Sequence, residues 1–210
     1  MAARSEETKG IMYGLAAYIG WGFAPLYWPL LQPSSPYEVL AHRIIWSLVF
    51  LVLVNAAMGT WRPVMAALRD ARKRRLLIVA AALITVNWGL YIWSVNNDHV
   101  VDASLGYFIT PFISVVLGTT VLGERLRNAQ KIAIAIAAIS VIVLTFNGGQ
   151  LPWIGLVLAA SFGAYGYVKK LADVEAIASL TIETLVALPF GAAYLLYLEF
   201  TDQAAFLHTR

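Results

Sequence analysis

Apolar residues in this chain fall into long runs separated by short polar breaks. Seven runs, near 11–31, 37–58, 76–95, 101–122, 129–146, 153–168 and 178–198, approach the roughly 20 residues that a helix needs to cross a bilayer. None shows the polar face that a helix on the surface of a soluble domain carries. Composition agrees, with 60% hydrophobic and 13% charged residues and a mean hydropathy of +0.72. A soluble domain carries about a quarter charged residues. The fold class is therefore an all-α membrane protein with about seven transmembrane helices. The first run follows Arg4 and Lys9 as a signal peptide would, but it is too long for one and lacks a small-residue cleavage site, so it reads as a retained span.

The breaks carry turn chemistry: "QPSSP" at 32–36, "NNDHVVD" at 96–102 and "NGGQLP" at 147–152. The stretch "TWRPVMAALRDARKRR" at 60–75 is longer and is expected to form a short amphipathic helix on the membrane surface. Of the 15 Lys and Arg residues, thirteen lie in the amino-terminal tail and in alternate connections: Arg4, Lys9, Arg62, Arg69, Arg72, Lys73, Arg74, Arg75, Arg125, Arg127, Lys131, Lys169 and Lys170. The positive-inside rule then puts the amino terminus in the cytoplasm, with Lys169 and Lys170 in the loop between the sixth and seventh spans. The basic balance is thus explained by membrane orientation, not by nucleic acid.

An echo suggests an internal repeat: "LAAYIG" at 15–20 matches "LAASFG" at 158–163 at four of six positions, and on such a repeat "LAHR" at 40–43 would align with "LTIE" at 180–183. Five helices per repeat is an odd number, so a second copy would lie inverted, as in many secondary transporters. Arg43 and Glu183 become repeat equivalents, one in the outer third of the membrane and one in the inner third. A path with opposite charges at its two ends is then expected, rather than a direct salt bridge.

Enzyme signatures are missing: the chain has no H-E-x-x-H, G-x-S-x-G, Walker or Rossmann motif. It also has no cysteine, and His42, His99 and His208 stand in no metal-ligand spacing, so no enzyme activity, cofactor or metal is expected. The informative residues are the polar ones inside the runs. Glu38, His42 and Trp46 share a face at i, i+4 and i+8, with Arg43 on the adjoining face. An arginine near a helix centre costs about 2.5–3.5 kcal/mol on insertion scales, which a wet cavity or a partner offsets. Snorkelling toward the outer interface is the weaker alternative, because the depth is marginal for it and Arg43 is the only cation outside the cytoplasmic side before the chain end.

"NWGLYIWSVNN" at 87–97 supplies Asn87, Trp88 and Tyr91. Asn87 reads both as helix–helix glue and as cavity lining. "VDASLGYFITPFISVVLG" places Tyr107 one turn before Pro111, which should kink the helix, and its Ser104, Gly106, Ser114 and Gly118 allow close helix approach. Gly14, Gly20, Gly22, Pro25 and Pro29 make the first span unlikely to be straight. Glu124 in "LGERL" is expected to close a helix end.

Taken together, "LAHRIIWS", "NWGLYIWSVNN", "DASLGYFITPFISVVLG" and "LGERL" resemble, in order and spacing, the signature segments of the RarD transporters of the EamA-domain group within the drug/metabolite transporter superfamily. The resemblance implies a ten-helix inverted-repeat (5+5) fold, of which this chain holds a first EamA repeat at 8–147 and the start of a second at 150–210. It also implies a multi-pass protein of the bacterial inner membrane that exports or exchanges small metabolites.

On that reading Arg43 binds the carboxylate of an amino-acid-like substrate and His42 hydrogen-bonds it or titrates. Trp21, Trp46, Trp88 and Tyr107 wall the site, with Asn87, Tyr91 and Glu183 as further contacts. The expected partners are the lipid bilayer and a small-molecule substrate, with homodimer formation left open. The helix count also admits a seven-helix sensor or receptor, but its seventh span lacks the lysine that a retinal Schiff base needs.

Overall fold

A computed structural model describes residues 2–121, 126–148 and 151–206, all of it helix and connecting turns. The expected helix-end role of Glu124 and the histidine His208 lie outside the described residues. The chain divides into two compact units, Met1–Pro33 and Ser34–Arg210.

The first unit is a broken helix. α1 (Ala2–Gly22) stops where Phe23 bonds back to Gly20, and α2 (Ala24–Tyr27) and a 3-10 turn (Trp28–Leu31) follow. Pro25 and Pro29 occupy the opening positions of these short pieces. A proline offers no N–H to the carbonyl four residues back, and the break falls where Gly20, Gly22 and Pro25 come together. This is the irregularity that the glycines and prolines predict.

The second unit begins with α3 (Pro36–Met58), capped by Ser35, whose hydroxyl accepts the Glu38 N–H at 3.2 Å. It ends at Gly59, whose φ of +66° favours a residue without Cβ. α4 (Trp61–Arg69) is the expected short amphipathic helix. Its apolar face is not left to the membrane surface: Val64 and Ala67 pack with Leu77, Ala172, Ala178 and Ile182.

α5 (Ala71–Asn96) starts five residues before its apolar run, so the basic stretch is its first turn and not a loop. Four cations at a helix amino terminus oppose the helix dipole. Asp70 offsets this by accepting the N–H groups of Arg72 and Lys73 at 2.8 and 3.1 Å. In addition, Arg74 donates to the Leu68 carbonyl and Lys73 to that of Asp173.

α6 (Val100–Thr120) carries Pro111 within one continuous helix, and α7 (Asn128–Gly148), α8 (Trp153–Ala172) and α9 (Ala176–Phe200) complete the unit. By length and composition α3, α5, α6 and α9 can each cross a membrane, and the stretch Asn128–Val143 of α7 is a shorter apolar helix. α1 and α8 are helical where spans were expected. α8 lies against both α5 and α6, and α9 against both α3 and α5. α3 and α9 run antiparallel: Glu38 near the start of α3 meets residues 205 and 206, and Asn55 near its end meets Thr181.

Glycine sets the α6–α8 spacing. A Cβ on Gly106 would stand 2.9 Å from the Gly155 carbonyl oxygen, and one on Gly163 would stand 2.6 Å from Ile113. Gly106 is thus a contact residue, as its sequence context predicts. Ser104 and Ser114 instead are exposed and bond back to the Val100 and Thr110 carbonyls. Gly106→Val is expected to cost about 1–3 kcal/mol, the usual range for overpacking. Gly166→Ala, where nothing stands within 4 Å, is the control. Unfolding midpoints in detergent should fall for the first and hold for the second.

Candidate functional site

Arg43 is the eighth residue of α3, about 10 Å along the helix from Pro36. Its guanidinium lies over the ring of Trp88 on α5, with Cζ 3.7 Å from the ring centroid. That geometry suits a planar cation attracted to the negative face of an indole. Tyr107 on α6 stands close enough to interact electrostatically with the same guanidinium, and its ring meets Tyr91 edge-on at 5.6 Å. Arg43, Trp88, Tyr91 and Tyr107 therefore form one group contributed by three helices, four of the nine residues named from the sequence.

From Tyr107 the aromatic contacts continue. Phe162 lies 6.3 Å from Tyr107, and Tyr165 lies 5.9 Å from Phe162. Tyr165 donates its hydroxyl to Glu183 Oε2 at 3.0 Å. Glu183 is 2% exposed, and its other oxygen takes Lys169 Nζ at 2.7 Å and the Ser179 hydroxyl at 2.6 Å. Lys169 also donates to Ser179.

Lys169 is correctly placed near the end of the sixth span but wrongly assigned to a loop: it stands in the last turn of α8 and points back into the helix pair. The apolar run ends before the helix does, and hydropathy alone reads the remainder as loop. The carboxylate of Glu183 is thus satisfied by α8 and α9. Arg43 lies over Trp88 instead, within electrostatic reach of Tyr107, so Arg43 and Glu183 stand at opposite ends of an aromatic series.

The expected pairing of Arg43 with Glu183 has a geometric counterpart. α3 starts at Pro36 and α9 at Ala176, an offset of 140 that equals the one between Arg43 and Glu183. Each charge is the eighth residue of its helix, and the two helices run in opposite directions.

The remaining candidates divide. Asn87 is 1% exposed, and its amide donates at 2.9 Å to both the Leu158 carbonyl and the Ser161 hydroxyl, joining α5 to α8. Its Oδ1 is buried without a hydrogen-bond partner among the described residues. Asn87→Leu is expected to lose about 0.6–2 kcal/mol, the range for a bond between membrane helices. Combining it with Ser161→Ala should add little, a coupling that a double-mutant cycle in unfolding midpoints reads directly.

His42 is half-buried, with its ring 4.3 Å from that of Phe206. Trp46 is 60% exposed and does not join the group. Eight residues at about 100° each overshoot the face of Glu38 by roughly 80°. Trp21 lies near the end of α1 in the first unit.

Sequence reading missed Tyr165, Lys169, Ser179 and Asn55. Asn55 is fully buried, donates to the Leu51 carbonyl and to Thr181 Oγ1, and accepts from Thr60. A lone amide in an apolar run was the available signal. An apolar cavity of about 280 Å³ lies elsewhere, between α6 and α7, lined by Phe108, Phe112, Ile136 and neighbours.

Buried charges and amides tying together apolar helices define an integral membrane protein, and residues 8–146 match the EamA-like transporter family. The chain belongs to that family. The chain is 48% identical over 206 residues to Protein RarD of Streptomyces exfoliatus, covering 98% of this chain and 65% of that protein. It is 41% identical over 196 residues to the uncharacterized transporter YojE of Bacillus subtilis (92% of this chain, 66% of that one). With Protein RarD of Escherichia coli K12 it shares 43% over 190 residues (90% and 64%). The chain thus spans about 65% of the length of the curated relatives it matches. No solved structure matches it.

Proposed function

We propose that this chain carries the ligand-binding part of a secondary transporter that moves a small carboxylate-bearing metabolite, amino-acid-like in size, by alternating access. The observation that carries the reading is Arg43. It is a guanidinium placed on an indole about 10 Å inside a helix of membrane length, beside a tyrosine from a third helix.

A guanidinium is planar and matches a carboxylate through two parallel N–H bonds, while its face can stack on an indole. The equivalent placement of Arg43 and Glu183 on antiparallel helices supports two inverted repeats that open a shared path to either side in turn. The cationic bias of the connections supports a cytoplasmic amino terminus in the bacterial inner membrane. Arg43 then stands in the outer third and Glu183 in the inner third. The relatives named as transporters support a carrier rather than a catalyst.

A thermal-shift panel on the purified chain tests the ligand class. A ligand that binds only the folded state raises its apparent stability by about 2.7 kcal/mol at 100 times its Kd. Free amino acids should raise the unfolding midpoint, and their methyl esters, which keep the amine and side chain, should not. Equal shifts from acid and ester would remove the carboxylate from the reading.

A further inference from the structure

We propose that residues 203–206 form a strap that closes one mouth of the Arg43 site, with Glu38 as the positioning residue that holds it down. The strap begins with a helix stop. After α9 ends at Phe200, Thr201 N bonds to the Tyr197 carbonyl, Asp202 N to Glu199 and Gln203 N to Leu198, the last at 2.9 Å. Asp202 sits at φ +51°, in the left-handed region. A left-handed residue followed by an N–H reaching back five residues is the helix-ending turn that reverses the chain. Here it sends the chain back over α3.

Two backbone N–H groups of the strap, Ala205 and Phe206, then converge on a single oxygen. Glu38 Oε1 accepts both at 2.9 Å, and Glu38 is 1% exposed. Ser35 and Glu38 have the spacing of a capping box, in which the glutamate would turn back to its own helix start. Its carboxylate is committed to the strap instead. Bonds from N–H to an ionised carboxylate are the strong kind.

The grip is also local. Gln203 is exposed, Ala204 and Ala205 are half-exposed, and Phe206 is 45% exposed. A segment with few buried contacts opens at a small fraction of the free energy of unfolding. In place, it sets the Phe206 ring 4.3 Å from His42, one turn after Glu38 and next in the chain to Arg43. Released, it uncovers His42, and in this proposal the approach to Arg43 with it. What this does for transport rests on the reading of Arg43 above; the strap and its latch do not.

The chain contains no cysteine, so a single introduced thiol reports access cleanly. His42→Cys and Arg43→Cys, each alone, are reacted in proteoliposomes with a charged, membrane-impermeant thiol reagent. Adding Glu38→Ala should speed modification about tenfold or more through loss of two charge-assisted bonds. Glu38→Gln, which keeps an acceptor oxygen without the charge, should fall between, and Phe206→Ala should also accelerate it. Ser140→Cys on α7 is the control for general loosening. Faster reaction at either site thiol with Ser140→Cys unchanged supports the strap. Unchanged rates at both, or equal acceleration at Ser140→Cys, overturns it. A failure of carboxylates to shift the unfolding midpoint would instead remove the ligand assignment and leave the access result standing.

Discussion

Arg43→Ala is expected to weaken carboxylate binding by at least about 100-fold, since each hydrogen bond from a charged donor contributes about 1.5–3 kcal/mol and a guanidinium offers two to one carboxylate. Arg43→Lys should recover only part of this. The ammonium keeps the charge but loses the flat fork and the stacking surface that Trp88 supports at 3.7 Å. Trp88→Ala is the complementary case. It leaves the guanidinium charged but unplatformed, and a loss of about tenfold is expected from a cation–π contact of about 1–2 kcal/mol. Isothermal titration with a free amino acid measures all three, and the unfolding midpoint of each unliganded variant separates lost binding from lost fold. An Arg43→Ala protein that binds with the wild-type constant would take Arg43 out of the site.

The second large effect concerns the other end of the aromatic series. Lys169→Ala leaves Glu183, 2% exposed, without its counter-ion, and breaking one side of a buried pair costs about 3–5 kcal/mol. Ser179 and Tyr165 still donate to the carboxylate, so the lower part of that range is expected. Removing both charges should be far milder: Lys169→Met with Glu183→Leu should regain most of the loss, because no uncompensated charge stays buried. Unfolding midpoints of the two single variants and the double variant form the cycle that isolates the coupling. If both singles and the double fall equally, the pair is a bystander and packing accounts for the loss.

Much of this was legible from local chemistry. Ser35 and Pro36 announce the start of α3, Gly59 its end, and Pro25 the break after α1, because each acts on backbone groups within a few residues. The matching positions of Arg43 and Glu183, each eighth in its helix, follow the offset of 140 at which "LAHR" aligns with "LTIE". What stayed hidden was non-local or belonged to helix outside the apolar stretch. Lys169 reads as loop because Val168 ends the apolar run, although the helix continues to Ala172. Glu38 shows a face in common with His42, but its partners lie 167 and 168 residues away. Trp46 fell off that face because two turns of helix accumulate an angular error that one turn does not.

The glycines of the α6–α8 contact bear on which parts of the molecule can slide. Backbone meets backbone at Gly106 and Gly155, with Gly163 seated against Ile113, and such a seam leaves no flexible side chain to absorb relative motion. α6 and α8 are therefore welded into one spar, with Tyr107 and Phe162 facing each other along it. The α3–α9 seam is looser: a Cβ on Gly191 would meet Ala41 at an ordinary 3.5 Å. Polar fasteners hold it at its two ends, Asn55 with Thr181 at one and Glu38 with the strap at the other. A rigid spar beside a seam fastened at its two ends behaves as a door frame and a leaf. Arg43 lies on the leaf and Tyr107 on the frame, so under the proposed alternating access the distance between those two residues is the coordinate to follow.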